Sequence, residues 1–157
     1  MRLNILVILS AAYLCLAQDR NLQTVKQTFD AANIPTDLGA PFNPSVLLEV
    51  TFPENDTAPI TLHAGLQVPR NETAGPPTFA FAGNVGSGPF VVAMVDLDAP
   101  SPTDHSNSQV RHFLGGNFRP SASSVGAVEG LQVHALTNST PAVSEFKQPT
   151  PTSGIHR

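Results

Sequence analysis

The chain has 157 residues, 41% of them hydrophobic and 13% charged, with a formal net charge of −4. That length allows one domain. With no basic cluster on an acidic chain, nucleic acid is not an expected partner, and strong electrostatic attachment to anionic membranes is disfavoured.

The chain opens with an apolar run, Leu3–Leu16, behind the single positive charge of Arg2, and Cys15-Leu16-Ala17 offers the small-x-small pattern of a signal-peptidase site. A membrane anchor needs about 20 apolar residues, and the polar Gln18-Asp19-Arg20 closes this run earlier. Residues 1–17 therefore read as a signal peptide, and the protein as secreted or held in the secretory-pathway lumen, with no transmembrane segment. Its one cysteine, Cys15, leaves with the leader, which excludes disulfides, thiolate zinc sites and a cysteine nucleophile. Loss of Arg2 leaves seven basic against twelve acidic residues, a net charge of about −5. Three glycosylation sequons, at Asn55, Asn71 and Asn138, agree with export, whereas Asn43-Pro44-Ser45 is blocked by its proline.

Leu22, Val25, Phe29 and Ala32 recur at helical spacing and predict a short amphipathic helix stopping before Pro35. From there short apolar runs alternate with proline, glycine and asparagine. The strand candidates are Val46–Phe52, Ile60–Val68, Thr78–Ala82, Phe90–Val95, Val110–Phe118 and Leu131–Leu136. The pattern predicts a mainly β domain over 18–157, with 141–157 a polar, proline-rich tail containing no strand.

Two segments carry candidate chemistry. Phe90–Val95 runs into Asp96-Leu97-Asp98-Ala99-Pro100, and alternation along an extended strand would put both carboxylates on one side. Taken alone, such aspartates more often bond local backbone amides in a turn. In Gln109–Asn117 the same alternation groups Val110, His112 and Leu114. A histidine between apolar neighbours is most often a core residue, but a nearby aspartate could orient its ring and favour its cation, an arrangement suited to an oxyanion.

Taken together, Val91–Pro100 and Val110–Asn117 resemble the first signature of the phosphatidylethanolamine-binding protein family: strand, Asp-Pro-Asp-Ala-Pro, variable loop, then His-aromatic-Leu-x-x-Asn. Leu97 stands where that signature has proline. Gly154-Ile155-His156-Arg157 resembles the start of the second signature, Gly-x-His-Arg-Tyr followed by an apolar strand. The resemblance implies an antiparallel sheet domain with short peripheral helices and its C-terminal part missing. It implies a surface pocket for phosphate-like anions, including phospholipid head groups, lined by Asp96, Asp98, Pro100, His112 and His156. It also implies a truncation within the second signature, which predicts a frayed tail in which His156 seldom meets His112 or Asp96.

The resemblance implies a non-enzymatic binding module without a cofactor. The alternative is an inhibitor of serine carboxypeptidases or another protein-interaction regulator. Gly-x-Ser-x-Gly, His-Glu-x-x-His, phosphate-loop and dinucleotide motifs are absent from the sequence. A metal site built on Asp96, Asp98, His112 and His156 has no dedicated spacing behind it. His63, His105 and His134 have no motif around them and read as surface or packing residues.

Overall fold

The computed structural model describes residues 18–53 and 58–157, so the leader and Asn55 lie outside it. None of the described helices is long and apolar enough to cross a membrane.

Helix α1, Leu22–Ala31, starts where the Asn21 side chain accepts the Thr24 N–H at 2.8 Å, satisfying one of the first turn's unpaired donors. Asn33 then takes a left-handed conformation, and a second helix, α2 (Ile34–Leu38), follows it. Pro35 thus sits in the first turn of a new helix, where its missing N–H costs nothing, rather than marking the end of the old one.

Among the described residues seven strands follow: β1 (Leu47–Phe52), β2 (Ile60–Thr61), β3 (Thr78–Ala82), β4 (Phe90–Asp96), β5 (Val110–Pro120), β6 (Gly126–Val128) and β7 (Leu131–Thr137). They form an antiparallel sheet in the order β2-β1-β3-β7-β5-β4, with β6 on β7. The expected strand Ile60–Val68 survives only as β2. Gly65 takes φ +84° just beyond it, and the Asp19 carboxylate holds the Ala64 N–H in the resulting turn.

The sheet curls because β7 serves two partners in succession. Its residues Val133–Ala135 pair with β3, while Leu136 and Thr137 pair with the far end of β5. β3 shows how the two faces are sorted. Its phenylalanines Phe79 and Phe81 join Val92, Phe118 and Leu136 in the main core. The intervening Ala80 and Ala82 leave room on the other face for Leu22 and Val25 of α1, beside Leu47, Val128 and Val133.

β5 carries two irregularities against β4. One lies between the Val92–Gly115 and Phe90–Phe118 pairs. The other lies between Met94–Phe113 and Val95–Arg111, leaving His112 as an extra residue on β5. A bulge of this kind frees backbone groups and re-aims a side chain.

The proline-rich tail forms no strand but is docked rather than frayed. Val143 and Ser144 exchange backbone hydrogen bonds with Leu114, Lys147 N–H donates to the His112 carbonyl at 2.8 Å, and Phe146 packs on Phe52 with ring centroids 6.1 Å apart. The expectation of a loose segment fails because bulged β5 offers unpaired backbone groups, which a proline-poor stretch of the tail can meet without becoming a regular strand.

Candidate functional site

The site forms where β4 ends, between the bulge of β5 and the last residues of the tail. Asp96 closes the strand locally, its Oδ1 accepting the Asp98 N–H at 2.8 Å. That is the ordinary turn chemistry of such an aspartate. Its second oxygen does something else. Oδ2 accepts from His156 Nδ1 at 2.7 Å and lies 3.8 Å from His112 Nε2. Two imidazoles from distant parts of the chain therefore converge on one carboxylate.

The rings differ in their bonding. His156 donates from both nitrogens, to Asp96 and to the Ser153 carbonyl at 3.1 Å, so both partners favour the doubly protonated ring. Burial pulls its pKa down, but the Asp96 bond and charge and the Ser153 carbonyl outweigh that, and the net shift is upward. His112 donates from Nδ1 to the Lys147 carbonyl at 2.8 Å. Its Nε2 is buried and has no hydrogen-bond partner among the described residues.

Asp98 is used differently from Asp96. It is 2% exposed, and the structure joins it to Arg157 rather than to His112. Oδ2 accepts the Arg157 main-chain N–H at 2.7 Å and Nε–H at 2.9 Å, and Oδ1 accepts from Nη2 at 2.6 Å. This fork holds the Asp98 carboxyl below its ordinary range and pushes Arg157 further up. Arg157 also reaches Asp37 at 2.8 Å and the Ala32 carbonyl, fastening the α1–α2 corner to the site. The two aspartates do not share one side of a continuing strand, because the strand stops at Asp96.

Leu97, where the signature has proline, is buried and donates its N–H to the Arg157 carbonyl at 3.0 Å, a bond proline could not make. Pro100 is half-buried at the rim, and its carbonyl accepts from the Thr152 hydroxyl at 3.3 Å. His105, read as a surface or packing residue, is exposed, and its Nε2 lies 3.5 Å from Asp98 Oδ1. Arg157 stands in the second signature segment but has no part in the pocket that the resemblance implies. Its place beside His156 in the second signature was the available signal.

Sheet and site together define a curled antiparallel β domain whose two signature segments meet at one end. The family model described as phosphatidylethanolamine-binding protein matches residues 50–157, and the chain belongs to this family. It is also similar to the protein FLOWERING LOCUS T of Arabidopsis thaliana, 25% identical over 133 residues, or 85% of this chain and 66% of that protein. The alignment thus spans just under two thirds of that relative's length.

Proposed function

We propose that the protein is a non-enzymatic binding module for phosphate-type anions, including phospholipid head groups such as phosphoethanolamine. One observation carries this reading: His112 and His156 converge on Asp96 while the buried Nε2 of His112 has no hydrogen-bond partner among the described residues. An unpaired buried polar atom costs about 1–3 kcal/mol, and a phosphate oxygen would supply its missing partner. In this reading His112 Nε2 meets the anion while the Lys147 carbonyl holds that ring from its other nitrogen, and His156, held by Asp96 and the Ser153 carbonyl, forms a wall of the pocket. Asp98 acts through Arg157 to keep the tail in place, and Pro100 shapes the rim.

Calorimetric titration with inorganic phosphate and with phosphoethanolamine tests the reading. His112→Ala should weaken both about ten-fold, while His63→Ala, outside the site, should not. Unchanged affinity in a folded His112→Ala variant would remove the residue from the site. Inhibition of a serine carboxypeptidase without phosphate binding would favour the regulatory alternative instead.

The same proposal places the protein in the secretory pathway, with residues 1–17 removed. The described sequon residues Asn71 and Asn138 are both exposed, as a glycan requires. Mass spectrometry before and after glycan removal checks this, and an unglycosylated cytosolic product retaining its leader would overturn it.

A further inference from the structure

At the opposite end of the β4–β5 pair from Asp96, the β3–β4 loop and the neighbouring ends of β5 and β7 line an open cleft of about 770 Å³. Phe90, at this end, lies six positions along β4 from Asp96, about 20 Å of extended strand. The volume falls within the range typical of small-molecule sites, roughly 300–1,000 Å³.

The walls of the cleft are fastened to one another. Gly83 N–H donates to the Gln132 carbonyl at 2.9 Å, joining the β3–β4 loop to β7. Arg119 Nη1 donates to the Ser87 carbonyl at 3.1 Å, joining β5 to the same loop. His134 Nδ1 donates to the Ser121 carbonyl at 2.8 Å, and Ser121 N–H returns a bond to Ala135 at 2.8 Å. A site whose walls are already held loses less freedom when a ligand arrives.

The lining has a definite polarity. Arg119 and His134 face it, while Val85, Leu131 and Pro120 give it apolar surface, and none of the lining residues is a carboxylate. On a chain of net charge −4 that is a local reversal of sign. Glu129, beside the lining residue Gly130, is engaged with Arg20 at 3.3 Å. Arg119 spends one N–H on Ser87, and a guanidinium has five, so most of its donors stay available.

We propose that this cleft is a second binding site, separate from the Asp96 site, for a small anionic amphiphile whose acid group meets Arg119 and whose apolar body lies on Val85 and Leu131. The proposal is independent of the phosphate reading, since the two sites share no residue.

The probe is 8-anilinonaphthalene-1-sulfonate, an aromatic sulfonate with this division of character, followed by its fluorescence on the full chain. We expect one saturable site, weakened about ten-fold by Arg119→Met through loss of a charge-assisted bond and largely restored in Arg119→Lys. His112→Ala and excess inorganic phosphate should leave the titration unchanged. Equal binding by wild type and Arg119→Met, or displacement of the dye by phosphate, overturns the proposal. Amide shifts in the wild-type protein give a readout free of folding effects. Shifts centred on 83–87 and 130–134 support the site, and shifts centred on Asp96 and His112 sink it.

Discussion

Asp98 and Arg157, 59 residues apart in sequence, meet through three hydrogen bonds of 2.6–2.9 Å, one of them from the arginine's own main chain. Fixing an irregular stretch of backbone costs about 1–2 kcal/mol of entropy per residue. Such a contact offsets that cost only where it satisfies a group that could not otherwise be buried. The Asp98 side chain is 3% exposed, so its charge depends on Arg157.

Arg157→Gln should therefore be strongly destabilising. Breaking a buried pair from one side costs about 3–5 kcal/mol, and since Arg157 itself is partly exposed we expect the lower end, about 3 kcal/mol. Adding Asp98→Asn should recover part of the loss, because the stranded charge goes too. Urea unfolding of both single variants and the double variant measures this coupling. Additive losses would mean that the pair contributes nothing specific.

Docking of the tail should have its own pH window. His156 has a pKa raised above its ordinary 6.5, so its contribution is complete below that pH and is lost as pH rises through the raised value. Asp98 is lowered from 3.8, so its contribution is present above that pH and fades as pH falls through the depressed value. Stability from the tail is greatest between the two. Thermal unfolding of wild type and His156→Gln across this range should show the difference narrowing on the alkaline side. Parallel curves from pH 6 to pH 9 would count against the Asp96–His156 bond.

Two adjacent glycines of β5 should respond very differently to alanine. A Cβ on Gly115 would lie 2.8 Å from both Phe113 Cζ and Phe118 Cε2, while Gly116 has nothing within 4 Å. Phe118 belongs to the main core and Phe113 packs against it, so Gly115→Ala must displace both rings and should cost about 1–3 kcal/mol. Gly116→Ala should stay within about 0.5 kcal/mol. Chemical denaturation of the two variants decides the matter, and equal midpoints would contradict the packing described.

The contrast between β3 and the tail shows what a reader of the sequence could see. From Phe79 on, Thr78–Ala82 alternates large and small apolar residues, and that pattern predicts the strand's limits. The long strand at Val110 and the helix at Leu22 were legible for the same reason. β6, three residues with a single buried valine, carries too little pattern to stand out. The tail was hidden because its partners are backbone groups of Leu114, His112 and Leu97, which every residue type supplies. The paired signatures named Asp96, Asp98, Pro100, His112 and His156, but periodicity gave no hint of the bulge at His112 or of Arg157 taking Asp98 for itself.

The tail's final approach turns on Gly154. Its φ of +77° lies in the left-handed region, and a Cβ there would stand 2.7 Å from Pro102 Cδ and 2.8 Å from Pro102 Cγ. Both restrictions act on the residue that lets the chain fold back so that His156 Nε2 meets the Ser153 carbonyl and Nδ1 meets Asp96. In Gly154→Ala the left-handed conformation alone costs about 1–2 kcal/mol, and the rigid proline ring cannot move aside as a flexible side chain would. The tail should then leave its groove at the 154–157 end while Ser144 and Lys147 keep their bonds to β5. Nuclear magnetic resonance titration of the His156 ring reads this directly. Its pKa should fall back toward the ordinary histidine value in Gly154→Ala, and phosphoethanolamine affinity should drop with it. Gly126→Ala, at a glycine with open space around it, serves as the control and should change neither. A His156 pKa that stays raised in Gly154→Ala would show that the turn tolerates a side chain, and that the glycine is not what places the histidine beside Asp96.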